Sequence, residues 1–177
     1  MKMNRENDFP KRKRLRLQNY DYSTPGAYFI TICTNHRKCT LSNIVGAIHE
    51  SPEIELTEYG EIVDRFINTP SKHSMAKVYQ YVIMPNHIHL IVLITNDDAL
   101  RAIRESPLRG RSIVSKVVGY IKMNASKEIH KKFGNITVWQ RGFHDHIIRD
   151  KDDYEKISKY MYENPINWQY DCFYTEE

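Results

Sequence analysis

"YVIMPNHIHLIVLI", Tyr81 to Ile94, is the stretch on which the reading of this chain turns. Its flanks are β-branched and aromatic, the residues that suit a pleated, half-buried surface. Its centre, Pro85-Asn86, is turn chemistry: proline presets one backbone angle and asparagine closes the bend. The stretch therefore reads as a hairpin, with strands over 76–84 and 87–95. Side chains two apart on a strand share a face. His87 and His89 thus project together, while Ile88 and Leu90 point the other way. A strand that served packing alone would have no reason to carry two imidazoles.

Working outward, "AYFITICT" (27–34) follows a Pro25-Gly26 turn and reads as another strand. Residues 35–56, with Pro52, read as an irregular loop. "TEYGEIVDRFINTP" (57–70) carries Ile62, Phe66 and Ile67 at helical spacing, with Thr57 as N-cap and Pro70 as stop. Residues 96–110 form a charged loop. A long amphipathic helix is expected over 112–132, a short strand over 143–149, and a last helix over 151–164, ended by Pro165. The order is β-α-β-β-α-β plus a helix. That is the α+β class, with the ferredoxin-like (RRM-like) split βαβ plan: an antiparallel sheet with helices on one face. The other face is left free to hold a ligand.

The chain has 177 residues and is 41% apolar, enough for one domain over 20–177, preceded by a basic arm over 1–19. No run approaches the roughly 18 apolar residues of a membrane span, and "MKMNRENDFP" has no secretory apolar region. Cys33, Cys39 and Cys172 lack zinc-finger spacing and read as reduced thiols, so a cytoplasmic location without membrane contact is expected. The net charge of +4 says less than its distribution. Lys11, Arg12, Lys13, Arg14 and Arg16 crowd the arm. Residues 101–132 hold nine Lys/Arg against Glu105 and Glu128. Such basic faces point to a polyanion, nucleic acid first among them.

Two neutral imidazoles on one face begin a divalent metal site; a third ligand must come from elsewhere. His144 and His146 repeat the spacing in "FHDHIIRD", and spacing alone does not rank the pairs. Several reactions are excluded. A third alternating histidine fails at Ile91. There is no His-Glu-x-x-His, no phosphate-binding glycine loop and no Gly-x-Ser-x-Gly elbow. On the last helix, Tyr160 and Asn164 are four apart and share a face if the final turn stays helical. The proline after Asn164 opposes that geometry. Together they would bring a nucleophile and a hard oxygen ligand to one place.

At this point a resemblance enters. "VIMPNHIHLIV", "VWQRGFHDHIIRDKDDYEKISKYMYENPINW" and "RLRLQNYDYSTPGAYFITICT" together resemble the REP-associated tyrosine transposases, single-tyrosine members of the His-hydrophobic-His (HUH) endonucleases and transposases. The likeness spans roughly residues 14 to 168 and is weakest over 40–56 and 96–110. It implies His87 and His89 as the metal pair, Tyr160 as nucleophile and Asn164 as third ligand. It places His146 in a structural or DNA-facing strand, which favours His87 and His89 over the second pair. The implied activity is nicking and joining of single-stranded DNA at hairpin-forming palindromic repeats, through a 5′-phosphotyrosine and with Mg²⁺ or Mn²⁺. Tyrosine is absent from positions 156 and 164, in keeping with a single-tyrosine relay. Candidate DNA contacts are Arg12, Lys13, Arg14, Arg16, Lys116, Lys122, Trp139, Arg141 and His146. A monomer or homodimer, nucleoid-associated in a prokaryote, is implied. Two other readings stay open: a DNA-binding protein of the same fold that no longer cuts, and a metal-dependent phosphohydrolase.

Overall fold

The computed structural model describes residues 21–46, 53–69, 76–97 and 112–175. The basic arm, with Arg12, Lys13, Arg14 and Arg16, lies outside the described residues, as does most of the charged loop.

Strands β1 (Gly26–Cys33), β4 (Lys77–Ile83), β5 (His87–Ile94) and β6 (His144–Ile148) form one antiparallel sheet in the order β4-β5-β1-β6. Helices α1 (Glu58–Asn68) and α2 (Ile113–Phe133) pack on one of its faces. This is the split βαβ plan, with the long β1 and β5 at the centre where apolar runs are needed on both sides. The core face alternates as strand geometry requires: Tyr28, Ile30 and Ile32 from β1, Ile88, Leu90, Val92 and Ile94 from β5. Against it lie Ile62, Val63 and Ile67 of α1 and Ile113, Val114, Val118, Ile121, Ala125 and Ile129 of α2. Each such fully buried aliphatic side chain is worth roughly 1.5–3 kcal/mol, so this face supplies much of the stability.

The helix ends follow from local chemistry. Thr57 Oγ1 accepts from Gly60 N at 3.2 Å, and Ser112 Oγ accepts from Ser115 N at 3.3 Å. Gly134, at φ 87°, takes a positive-φ conformation that residues with a side chain rarely adopt, and α2 stops there. The last helix, α3 (Lys151–Glu163), is capped by Asp150, whose Oδ1 accepts from Asp153 N at 2.8 Å.

Two expectations are corrected. Residues 35–56 are not uniformly irregular: β2 (Ser42–Val45) and β3 (Glu53–Leu56) pair as a small antiparallel sheet of their own. It is stitched to the main body by Ser42 Oγ on the Ile83 carbonyl (2.9 Å) and Leu41 N on the Pro85 carbonyl (2.9 Å). Nor is the second face of the main sheet free. α3 and the C-terminal segment cover it, so that His87, His89 and Ile91 are as buried as the core residues opposite them. Ser158 on α3 ties down to Gln80 on β4 (2.9 Å), and Met161 is 2% exposed.

Candidate active site

The Pro85-Asn86 turn is fixed from outside the hairpin. Thr34 donates to the Asn86 carbonyl from both N (2.9 Å) and Oγ1 (3.0 Å), and Met84 N closes on the His87 carbonyl (2.9 Å). The Asn86 amide nitrogen donates to the carbonyls of Arg37 (3.2 Å) and Phe173 (2.8 Å). Its Oδ1 therefore faces His87 Nδ1, at 2.9 Å, and accepts from it. That leaves His87 Nε2 with its lone pair pointing into the site. His89 Nδ1 meets Thr31 Oγ1 at 2.9 Å, across the β1–β5 pairing in which Thr31 lies opposite His89. The two Nε2 atoms converge at 3.0 Å.

α3 brings Tyr160 over this pair. Its hydroxyl lies 3.3 Å from His89 Nε2 and donates to Asp171 Oδ2 at 2.8 Å. Asn164 keeps helical angles (φ −58°, ψ −41°) in spite of Pro165, so it shares a face with Tyr160. Its amide nitrogen reaches the same Asp171 oxygen at 2.5 Å. Asp171 Oδ1 in turn takes Phe173 N at 2.6 Å, which locks the carboxylate in place.

Burial sets the protonation states. His87 is pushed down to about 3, by burial first and by the nearby Arg37 charge second. His89 is held well below its ordinary value by burial, then by His87, against the pull of Asp171. Both rings are neutral at physiological pH, as ligands must be. The Tyr160 hydroxyl is pushed above the usual phenol range, by burial and then by the Asp171 carboxylate it donates to.

The residues fit a divalent cation. Donor atoms of His87, His89 and Asp171 all lie within 4.8 Å of one another. Asn164 Oδ1 is buried with no hydrogen-bond partner, an uncommon state for an amide oxygen and one that a cation would relieve. Two imidazole nitrogens and one or two hard oxygens suit Mn²⁺, and Mg²⁺ less well.

The C-terminal segment closes the top. Phe173 lies over His87, ring centroids 4.7 Å apart, with the Arg37 guanidinium 5.1 Å above Phe173. Trp168 flanks His87 at 5.9 Å.

The other candidates fall elsewhere. His144 pairs with Thr31 and His146 with Phe29, so both second-pair histidines share the sheet face of His87 and His89. His146 Nε2, however, is bound to Asp153 Oδ2 at 2.8 Å, bracing the start of α3. That contact holds the Asp153 carboxyl below its usual range. Lys122 is half-buried, its ammonium on the carbonyls of Gln140 (2.6 Å) and Gly142 (2.8 Å). Trp139 is buried, with its indole N–H on the Lys122 carbonyl at 3.2 Å. Arg141 is exposed and Lys116 half-buried. Sequence reasoning missed Asp171 and Phe173, since a single acid and a single aromatic carry no spacing signal. It also read Asn86 only as a turn residue.

A buried His-x-His pair on the central strand is faced by a helix-borne tyrosine, the arrangement that the resemblance to the REP-associated tyrosine transposases implies. The comparisons with known proteins agree. No family model matches the chain. An uncharacterised protein of Haemophilus influenzae is 31% identical over 175 residues, covering 93% of this chain and 94% of that protein. A second H. influenzae protein, provisionally named a REP-associated tyrosine transposase, is 24% identical over 171 residues, covering 90% and 88%. A solved REP-associated tyrosine transposase bound to a REP hairpin shares the fold, with a TM-score of 0.58 at 20% identity, over 88% of this chain and 75% of that one. The chain is thus similar to REP-associated tyrosine transposases in sequence and in fold.

Proposed function

We propose that this chain nicks and rejoins single-stranded DNA at hairpin-forming palindromic repeats, with Tyr160 as nucleophile. One observation carries the reading: 71 residues apart in sequence, Tyr160 OH and His89 Nε2 are 3.3 Å apart in space, within one chain. The hairpin bound by the structural relative supports the choice of substrate.

His87, His89 and Asp171, with the free oxygen of Asn164, would hold Mn²⁺ or Mg²⁺. Such an ion supplies Lewis-acid polarisation of the scissile phosphate. The protein does the rest. α3 holds the phenol oxygen beside the His pair, so attack needs no search for orientation. Tyr160 already donates to Asp171, which gives its proton a route as the Tyr160 O–P bond forms. The P–O3′ bond breaks, and the departing oxygen takes its proton from solvent. The 5′-phosphotyrosine so formed is still a phosphodiester. A 3′-OH can therefore attack it, rejoin the strand and restore the phenol without ATP.

The test is a covalent adduct. Wild-type chain with Mn²⁺ and a set of single-stranded hairpins should yield a protein–DNA band resistant to denaturant. Tyr160→Phe should bind the same hairpin and yield none. Absence of an adduct from wild type on every hairpin tried, with Mn²⁺ or Mg²⁺, defeats the reading. A second reading, a hairpin-binding chain that no longer cuts, draws on the burial of His87 and His89 beneath Phe173. It predicts hairpin binding without adduct. Hydrolysis that survives Tyr160→Phe would instead point to a phosphohydrolase. Among the described residues no helix is long and apolar enough to cross a membrane.

A further inference from the structure

The chemistry above leaves unused a pocket on the outer flank of Tyr160. It encloses about 270 Å³ between α3 and the turn that follows it. On α3 its lining includes Lys156, Lys159, Tyr160 and Glu163, and beyond the helix Tyr170 and Asp171. Lys156 sits one helical turn before Tyr160 and so shares its face. Lys159 is paired only loosely, with Glu163 at 3.7 Å, and is 72% exposed.

Tyr170 has no packing reason to be where it is. It is 87% exposed, yet its backbone is held, because Tyr170 N bonds the Asn167 carbonyl at 2.9 Å. The adjoining Trp168 is anchored on His87 and on Tyr174, at 5.9 and 5.3 Å. An exposed ring on a fixed turn is a stacking platform. Two ammonium groups beside such a ring match the chemistry of single-stranded nucleic acid. The pocket also adjoins the reacting oxygen. Tyr160, whose oxygen would attack, is part of its lining, whereas His87 and His89 are not.

Which strand enters follows from the proposed tyrosine chemistry, on which this inference rests. The strand that stays after cleavage is joined to Tyr160 through its 5′ phosphate. We infer that the pocket holds the nucleotide 3′ of the scissile phosphate, its base on Tyr170 and its next phosphate between Lys156 and Lys159.

The probe is a single-stranded tetranucleotide with a 5′ phosphate and 2-aminopurine as its first base, a mimic of the retained strand. Added to the full chain, it should lose fluorescence on binding. Tyr170→Ala should abolish the quenching while leaving the circular dichroism unchanged. Lys156→Gln with Lys159→Gln should weaken binding about tenfold. Lys131→Gln, at the far end of α2, should not. Glu163→Gln should tighten binding about threefold, since it frees Lys159 and removes a like charge. Quenching that persists in Tyr170→Ala overturns the inference, as does equal quenching of 2-aminopurine at the fourth position. Failure of the wild type to bind the probe overturns it too. Adduct formation on hairpins is scored separately. Adduct without Tyr170-dependent quenching removes the pocket assignment alone. Tyr170-dependent quenching without adduct removes the tyrosine chemistry, and leaves the pocket as a single-strand site.

Discussion

His87 and His89 were legible as a pair because strand alternation alone puts them on one face. Their protonation was not, because it depends on what covers that face. With the ordinary histidine value at 6.5 and the folded value of His87 at about 3, the unfolded chain binds more protons than the folded chain between those limits. Stability therefore falls as pH drops from about 6.5 toward 3. At pH 5 the loss from His87 alone is about 2 kcal/mol, and His89 adds to it with the same sign. Urea midpoints of the chelated protein at pH 7 and 5 measure this. A His87→Gln chain should show a smaller acid loss; an equal loss would mean that His87 is not buried neutral. Asp171 sets a second residue-scale expectation. Its carboxylate helps to hold the Tyr160 proton and belongs to the candidate metal group. Asp171→Asn should lower the tyrosinate transition of Tyr160, read by ultraviolet absorbance, and weaken Mn²⁺ binding about tenfold or more. An unchanged Mn²⁺ affinity would remove Asp171 from the ligand set and leave the orphaned oxygen of Asn164 as the candidate. Asn164 itself was only half legible. Four-residue spacing put it beside Tyr160, but Pro165 argued against the helical angles that it keeps.

Among the elements, strongly periodic segments were read to within a residue or two. The expected helix over 112–132 is Ile113–Phe133, and the expected strand over 76–84 is Lys77–Ile83. The β2–β3 sheet was missed because "SNIV" and "EIEL" are four residues each, too short to show a period. Its place in the fold rests on Gly60, in the first turn of α1. A Cβ there would overlap the Leu41 carbonyl oxygen and come within 3.2 Å of Leu56 Cβ. Gly60 is what lets α1 sit directly against the chain entering β2. Intrinsic helix propensity says that Gly60→Ala should stabilise by about 1 kcal/mol. Close packing says the reverse, a loss of about 2–3 kcal/mol, because a backbone oxygen has nowhere to retreat. Urea unfolding decides between them by sign, and the contact with Leu41 makes the loss the expected outcome.

At the scale of the whole molecule, the C-terminal segment acts as a clasp across the sheet's second face. Arg37 Nη1 holds the Cys172 carbonyl (3.1 Å), Asn86 holds that of Phe173 (2.8 Å), and Thr175 Oγ1 returns to the Arg37 carbonyl (3.2 Å). These bonds link the chain end to the β1 exit and to the hairpin turn. None of this was legible, since "NWQYDCFY" has neither helical nor strand period and its partners lie far away in sequence. Phe173 is the clasp's apolar contact, placed over His87 and 6.1 Å from the His89 ring. The core on the opposite face does not involve it. Phe173→Ala should therefore cost little cooperative stability, about 1–2 kcal/mol for a half-buried aromatic, yet uncover both imidazoles. Diethyl pyrocarbonate acylates accessible neutral imidazole and reads this directly. In wild type, peptide mapping should find His36, His144 and other outward rings modified and His87 and His89 protected. In Phe173→Ala the buried pair should react severalfold faster, with the rate of an outward ring such as His144 serving as reference. Protection of His87 and His89 unchanged by the substitution would show that α3, rather than the chain end, seals the site. A Ser158→Ala chain, which loosens α3 at Gln80 instead, would then be the one to expose them.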